Sequence, residues 1–140
     1  MKTRILFAVE GTISVEHRPG ERACIGTWES LCTTHFREAL ERGLSECGRL
    51  GALSWIIDLT HNPGVPSQAD MAWVQGHAIS LAKRNGIKAM VNVQGTSSVA
   101  KMGSKRWSKL AVDGGIPTYD CGSLADALQL AADIAGGKAA

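Results

Sequence analysis

Apolar residues fall along this chain in two patterns, dense short runs and longer stretches with helical spacing. The densest run covers residues 53–59, where Trp55, Ile56 and Ile57 are adjacent and nothing polar alternates with them. A strand without alternation is typical of the middle of a sheet that is covered on both faces. We therefore expect a central strand here. The loop and the helix start that follow it lie where ligands and partners usually meet α/β sheets.

The chain before this run predicts strands at residues 2–17 and 22–28, joined by a Pro-Gly turn. The first is either one strand or two strands interrupted at Gly11, with Leu6 and Ala8 among its apolar positions. We expect the two segments to pair as an antiparallel hairpin.

Apolar residues three and four positions apart predict helices over residues 33–47, 67–85, 99–112 and 123–135. Short apolar runs between them predict strands at residues 87–93 and 116–119, the last at a sheet edge because it contains a proline. The order β-β-α-β-α-β-α-β-α predicts a single α/β domain over residues 1–136. In it a mixed sheet is flanked by about four helices and followed by a flexible tail, residues 137–140.

The composition is typical of a globular protein and excludes few classes of function. The 140 residues are 44% hydrophobic and 20% charged, with a formal net charge of +2. That charge does not indicate a nucleic-acid-binding protein. One cluster of cations is better explained as a solvated helix face than as a polyanion site: Lys101, Lys105, Arg106 and Lys109.

The four cysteines, at positions 24, 32, 47 and 121, form no Cys-x-x-Cys pair, and we expect reduced thiols. The apolar run at residues 5–9 is too short for a signal peptide or a membrane span, so a cytoplasmic location is the default expectation. The four histidines share no metal-ligand spacing. We expect no metal, no cofactor and no enzymatic activity, because no catalytic constellation is present.

Candidate chemistry is concentrated after the central strand. Asp58 has the position of a catalytic acid, a metal ligand or a phosphoacceptor, but a strand-end carboxylate that holds loop N–H groups is the favoured interpretation. Ser67, three residues before Asp70, fits a helix N-cap, which is favoured over a phosphorylation site. Thr60 competes with Ser67 as a modification site.

The tryptophans allow two uses. We expect Trp55 in the core. For Trp28, Trp73 and Trp107, which lie off the main stripes or near element ends, core packing is favoured over an exposed contact patch. Trp107 is expected at the edge of the apolar face of its helix, on which Met102 is expected to point inward.

The half of the chain from residue 53 onward resembles the STAS domain, the fold of the SpoIIAA-type anti-sigma factor antagonists. The matching segments are Asp58-Leu59-Thr60, Lys83-Arg84-Asn85-Gly86, Met90-Val91-Asn92-Val93, Gly114-Gly115, Ile116-Pro117-Thr118-Tyr119-Asp120 and Ser123-Leu124. The resemblance implies a non-enzymatic signalling module that binds a protein partner, such as a regulatory kinase or an anti-sigma-like factor, under control of serine phosphorylation. In place of the antagonists' Asp-Ser-Ser-Gly motif, residues 61–68 read HNPGVPSQ, and Ser67 is the candidate phosphoserine.

Three hypotheses follow for the surface. The leading one is a partner-binding edge made of Asp58, His61, Asn62, Gly64, Ser67, Gln68, Asp70 and Trp73. The alternative is a small-ligand site for a nucleotide, lipid or metabolite, lined by Asp58, His61 and Ser97. The third is self-association into a homodimer through the N-terminal hairpin, in which the strand at residues 22–28 offers a free edge.

Overall fold

The computed structural model of the protein describes residues 3–138, with the side chains of all of them except residues 99 and 100. Its six-stranded sheet has a spatial order equal to the sequence order. The strands are β1 (Arg4–Val9), β2 (Ile13–Arg18), β3 (Ala23–Trp28), β4 (Ser54–Asp58), β5 (Ala89–Val93) and β6 (Thr118–Cys121). The pairs β1–β2 and β2–β3 are antiparallel, and the pairs from β3 to β6 are parallel. The expected mixed α/β sheet is confirmed.

Four longer helices connect or follow the parallel strands in the described part of the chain. They are α1 (Phe36–Arg49), α2 (residues 68–84), α3 (Ser98–Asp113) and α4 (Leu124–Ala135). Helix α2 is α-helical over Gln68–Trp73 and Ile79–Arg84, with a π-helical segment, Val74–Ala78, between them.

The helices divide between the two faces of the sheet. The larger core joins α1, α2 and α3 to alternate strand residues such as Val15, Trp55 and Met90. The smaller core joins α4 to Ile56 and Val91 on the opposite face. The three connections between parallel strands, through α1, α2 and α3, all run in the same direction across the sheet. Because such connections are almost always right-handed, their helices lie on the same face. Strand β4 is buried at all five positions, as expected of a central strand.

A disulfide joins Cys24 of β3 to Cys47 of α1, and Cys32 and Cys121 are free thiols. The prediction of four reduced cysteines is therefore wrong for Cys24 and Cys47. The two residues are 23 positions apart and meet because α1 packs back over β3, which spacing alone does not show.

The N-terminal region is a three-stranded meander, because the chain turns back at residues 10–12 as well as at the Pro-Gly turn. The alternative of two strands interrupted at Gly11 is confirmed. Strand β3 pairs with both β2 and β4, so the expectation of a free edge at residues 22–28 is wrong. The edges of the described sheet are β1 and β6.

A shift of register between Ile5 and Phe7 changes which residues of β1 face the core. Phe7 is buried and Leu6 packs against the same core, whereas Ala8 is exposed. The expected apolar position is therefore confirmed for Leu6 and wrong for Ala8. An extra residue in one strand interrupts the alternation between the two faces, which is why adjacent residues can both contact the core.

Two details of the helices differ from the prediction. Helix α1 begins at Phe36 rather than at residue 33 and has no side-chain cap. The Thr33 hydroxyl lies before the helix, where it bonds Thr12 Oγ1 at 2.8 Å and accepts from the His35 N–H at 3.2 Å. On α3, Met102 is 67% exposed and Trp107 only 8% exposed. Core packing is thus confirmed for Trp107, as it is for Trp28 and Trp55.

Trp55 fits between β3 and α1 because the residue that faces its indole on each side is a glycine. A Cβ on Gly26 would lie 2.9 Å from Trp55 Cζ2, and a Cβ on Gly43 would lie 2.8 Å from Cη2. The Trp55 side chain is fully buried. These two glycines therefore make the slot that admits the indole of the central strand.

Within residues 3–138, no helix combines the length and the hydrophobicity needed to span a bilayer. Of the predicted tail, residues 137 and 138 donate backbone hydrogen bonds to Ile134 and Asp133 of α4, at 3.0 and 2.7 Å. The remaining positions, 139 and 140, lie outside the described residues.

Candidate functional site

The carboxylate at the end of β4 is engaged by the loop that follows it. Asp58 is 7% exposed, and its Oδ1 accepts hydrogen bonds from the N–H and the hydroxyl of Thr60, at 3.0 and 2.7 Å. The β4 register pairs Asp58 with Thr27 and Val93. It therefore lies on the face covered by α4, whereas α2 lies over the other face. The strand-end interpretation of Asp58 is confirmed.

Hydrogen bonds tie the β4–α2 loop to the loops on both sides of it. The Leu31 N–H donates to the Pro63 carbonyl at 3.0 Å, and the Ser97 N–H donates to Asn62 Oδ1 at 3.1 Å. Asn62 adopts a left-handed backbone conformation, with φ of 52°, which asparagine tolerates better than most residues. The loop is therefore held at three neighbouring strand ends.

Gly64 brings this loop close to the segment before α1. Its φ is +81°, and a Cβ there would lie 3.3 Å from Cys32 Sγ. The Cys32 thiol donates to the Val65 carbonyl at 3.0 Å. A side chain at position 64 would meet both a conformational penalty and this contact, so the shape of the loop requires a glycine here.

Ser67 caps α2 as the sequence predicts. Its Oγ accepts a hydrogen bond from the Asp70 N–H at 3.0 Å, and its side chain is exposed. The exposed residues around it form what we call the outer rim: Thr60, His61, Asn62, Ser67 and Gln68. Beside the outer rim lies an open depression of about 470 Å³, lined by Cys32, Thr33, Thr34, Val65, Ser67 and Asp70.

Two residues of the predicted edge are already engaged with α1. The Asp70 carboxylate accepts from Arg37 Nε at 2.7 Å. Trp73 packs edge-on against Phe36, with ring centroids 6.3 Å apart, and it lies beneath the Arg37 guanidinium at 5.9 Å. The structure thus separates the predicted edge into three parts: a buried Asp58, the exposed outer rim, and an Asp70–Trp73 flank that packs on α1.

No family model, curated protein or solved structure matches this chain.

The space beneath the β4–α2 loop is nearly filled. The enclosed cavity there measures about 20 Å³, room for a single water molecule. It is lined by Leu31, Ile57, Leu59, Gly64, Pro66, Gly103, Ser104 and Trp107. The strand order also never reverses within the described sheet, so β4 lacks the switch-point crevice on which the expectation of a ligand site rested.

Metal-ligating side chains do not converge among the described residues, where no group of three or more His, Cys, Asp or Glu is placed to hold an ion. Cys121 is half-buried, and burial, followed by the charges of Asp126 and Asp120, raises the pKa of its thiol. Its thiolate is therefore less available at neutral pH than that of an ordinary cysteine.

Sequence reasoning missed a second depression, which lies between α2 and α3. It measures about 340 Å³ and is lined by Gln68, Met71, Ala72, Gln75, Arg106, Lys109 and Leu110. The spacing of residues 68, 71, 72 and 75 places them on one stripe of α2. This stripe is visible in the sequence. That it lies opposite α3 is not, because the relative position of the two helices depends on the fold.

Proposed function

We propose that this chain is a non-enzymatic, STAS-like regulatory module that binds a protein partner through the outer rim and the adjoining 470 Å³ depression. The observation that carries the proposal is that Ser67 belongs both to the helix cap and to the lining of the depression. Its hydroxyl caps α2, and the same exposed side chain lines the depression. A change at Ser67 therefore acts on the helix start and on the docking surface together.

The geometry favours a protein over a small ligand at this end of the sheet. The cavity under the loop admits only water. The 470 Å³ depression beside the outer rim is open to solvent, whereas small-molecule sites bury most of the surface of their ligand. Outside the loop, five neighbouring side chains of the outer rim are exposed. A partner protein can cover such a surface without entering the fold.

Ser67 is the better of the two candidate modification sites. A phosphate there would meet the free N–H groups and the positive end of the α2 dipole. Arg37 lies on the neighbouring flank, paired with Asp70 at 2.7 Å. A phosphate on Thr60 would instead replace the hydroxyl that donates to Asp58 and place two anions together. We therefore assign the proposed switch to Ser67.

Support for the STAS-like assignment comes from the sequence resemblance and from the mixed sheet, in which β4 lies centrally and leads to a capped helix. A regulatory kinase or an anti-sigma-like factor is the class of partner that this assignment implies.

Site-specific photocrosslinking tests the docking surface. Benzoylphenylalanine is placed at His61 or Thr60, and at Lys88 as the control, because Lys88 is exposed but precedes β5 at the other end of the sheet. We expect both rim positions to yield an adduct of the same mass in cells, and Lys88 to yield none. Equal adducts at all three positions, or none at the rim, would refute docking there.

The switch is tested separately with the crosslinked partner, once purified. We expect Ser67→Asp to change its dissociation constant by about tenfold or more relative to Ser67→Ala, a free-energy change of about 1.4 kcal/mol. If both variants bind as the unmodified chain does, the switch is wrong even where the docking surface stands.

A further inference from the structure

The outer face of α3 combines cations with large apolar side chains. Met102 and Val112 are 67% and 55% exposed. The exposed cations of the same helix are Lys101, Lys105, Arg106 and Lys109. Asp113 is the only acidic residue from position 101 to 113, and it pairs with Lys109 at 2.8 Å. This surface is therefore more positive than the +2 of the whole chain.

These cations are little neutralised within the chain. Among the residues that the structure describes, Lys101, Lys105 and Arg106 form no ion pair with a carboxylate. An exposed guanidinium without an internal partner can bind an external carboxylate through two parallel hydrogen bonds.

The α2–α3 groove, the 340 Å³ depression described above, adjoins this basic face. Met71, Ala72 and Leu110 give it apolar surface, and Arg106 and Lys109 form its α3 side. Helix α2 therefore has two different flanks. The flank towards α1 is occupied by internal contacts such as the Arg37–Asp70 pair, and the flank towards α3 is left concave.

We propose that the α2–α3 groove binds an acidic, amphipathic segment of a protein partner. Apolar side chains of that segment would cover Ala72 and Leu110, and its carboxylates would face Arg106 and the lysines of α3. Charge complementarity selects this occupant, because the groove joins apolar surface to Arg106, which has no carboxylate partner among the described residues.

Other polyanions fit the groove less well. A nucleic-acid backbone would use the cations and leave the apolar surface of Ala72 and Leu110 uncovered. An anionic membrane is flat and would span a concave surface of this size without filling it. The inference rests on the proposed function only in requiring a protein partner, and it names the chemistry of that partner.

The probe is a fluorescein-labelled peptide of about 12 residues, with leucines four positions apart and glutamates or aspartates elsewhere. Fluorescence anisotropy is measured with the full chain. We expect saturable binding that weakens as salt is added, and a loss of about tenfold or more in affinity for Arg106→Glu and for Ala72→Glu. Ala72 is exposed on α2, so its substitution tests the groove without disturbing the core.

Lys88→Glu is the matched control, because it makes the same charge change as Arg106→Glu at an exposed position outside the groove. It is expected to bind the peptide within about twofold of the unmodified chain. Circular dichroism establishes that each variant is folded. His61→Ala, on the outer rim, is likewise expected to leave peptide binding unchanged.

Three results would overturn the inference: no saturable binding below about 1 mM peptide, equal losses for Lys88→Glu and Arg106→Glu, or tighter binding of an alternative probe. The alternative probes are single-stranded DNA and vesicles of phosphatidylserine and phosphatidylcholine. Failure of photocrosslinking at the outer rim would remove the proposed docking site and leave these peptide measurements standing, so the two failures are distinguishable.

Discussion

Gly43→Ala tests whether α1 packs on the central strand as described. In the interior of a helix, alanine is normally more stable than glycine by about 1 kcal/mol. At Gly43, however, the new Cβ would lie 2.8 Å from Trp55 Cη2 and 3.4 Å from Cζ3. The indole cannot retreat towards β3, because Trp55 already lies against Gly26, where a Cβ would be 2.9 Å from Cζ2.

The magnitude follows from two opposing terms. Overpacking of a filled core costs about 1–3 kcal/mol, and the helix gain returns about 1 kcal/mol of it. Gly76 is the matched control, because it lies in the π-helical segment of α2 and nothing is within 4 Å of an added Cβ. We expect Gly43→Ala to be destabilised by about 1 kcal/mol, and Gly76→Ala to be stabilised by up to about 1 kcal/mol.

Urea denaturation followed by far-ultraviolet circular dichroism gives the free energy of unfolding of each variant. In a Trp55→Phe background, which removes the ring atoms next to the new Cβ, Gly43→Ala should lose most of its cost, a coupling of about 0.5 kcal/mol or more. If Gly43→Ala stabilises the chain as much as Gly76→Ala does, the packing described for Trp55 is incorrect.

Urea denaturation of further variants probes three separate features. Replacing Cys24 and Cys47 together by alanine should lower the free energy of unfolding by about 3 kcal/mol, because the disulfide spans 23 positions; an unchanged value would argue against the bond. Ser67→Ala should cost about 1 kcal/mol, because a helical N–H loses its acceptor, whereas Ser67→Asn should cost little. Burial, and then the charge of Arg4, lowers the pKa of His17 below its ordinary 6.5. The folded chain therefore holds fewer protons than the unfolded chain, and stability falls as the pH drops below about 6.5. His17→Gln should flatten this dependence, and an unaltered pH profile would contradict it.

Local signals were sufficient for the elements that surround the candidate site. The unbroken apolar run predicted β4 as a central strand, and all its residues are buried. The Ser-x-x-Asp pattern predicted the cap at Ser67, where the expected hydrogen bond is found. Both features depend on residues a few positions apart, and such patterns are visible in the sequence.

Features that depend on distant residues were not predictable in this way. The Cys24–Cys47 bond requires the packing of α1 on β3. In β1, an irregular position between Ile5 and Phe7 interrupts the alternation, so that Leu6 and Phe7 both pack on the larger core. The division of α2 into a flank occupied by α1 and a flank open towards α3 depends on where three helices lie, which no single periodicity shows.

The identity of strand order and sequence order has a consequence for how the chain assembles. Each strand after the first hydrogen-bonds the one that precedes it in the sequence. During synthesis on the ribosome, every new strand therefore emerges to find its neighbour already made, and no gap in the sheet must wait for a later segment. Such a chain can grow its sheet from the amino-terminal side. Helix α4 follows all six strands in the sequence, so the strands on which it packs are made before it.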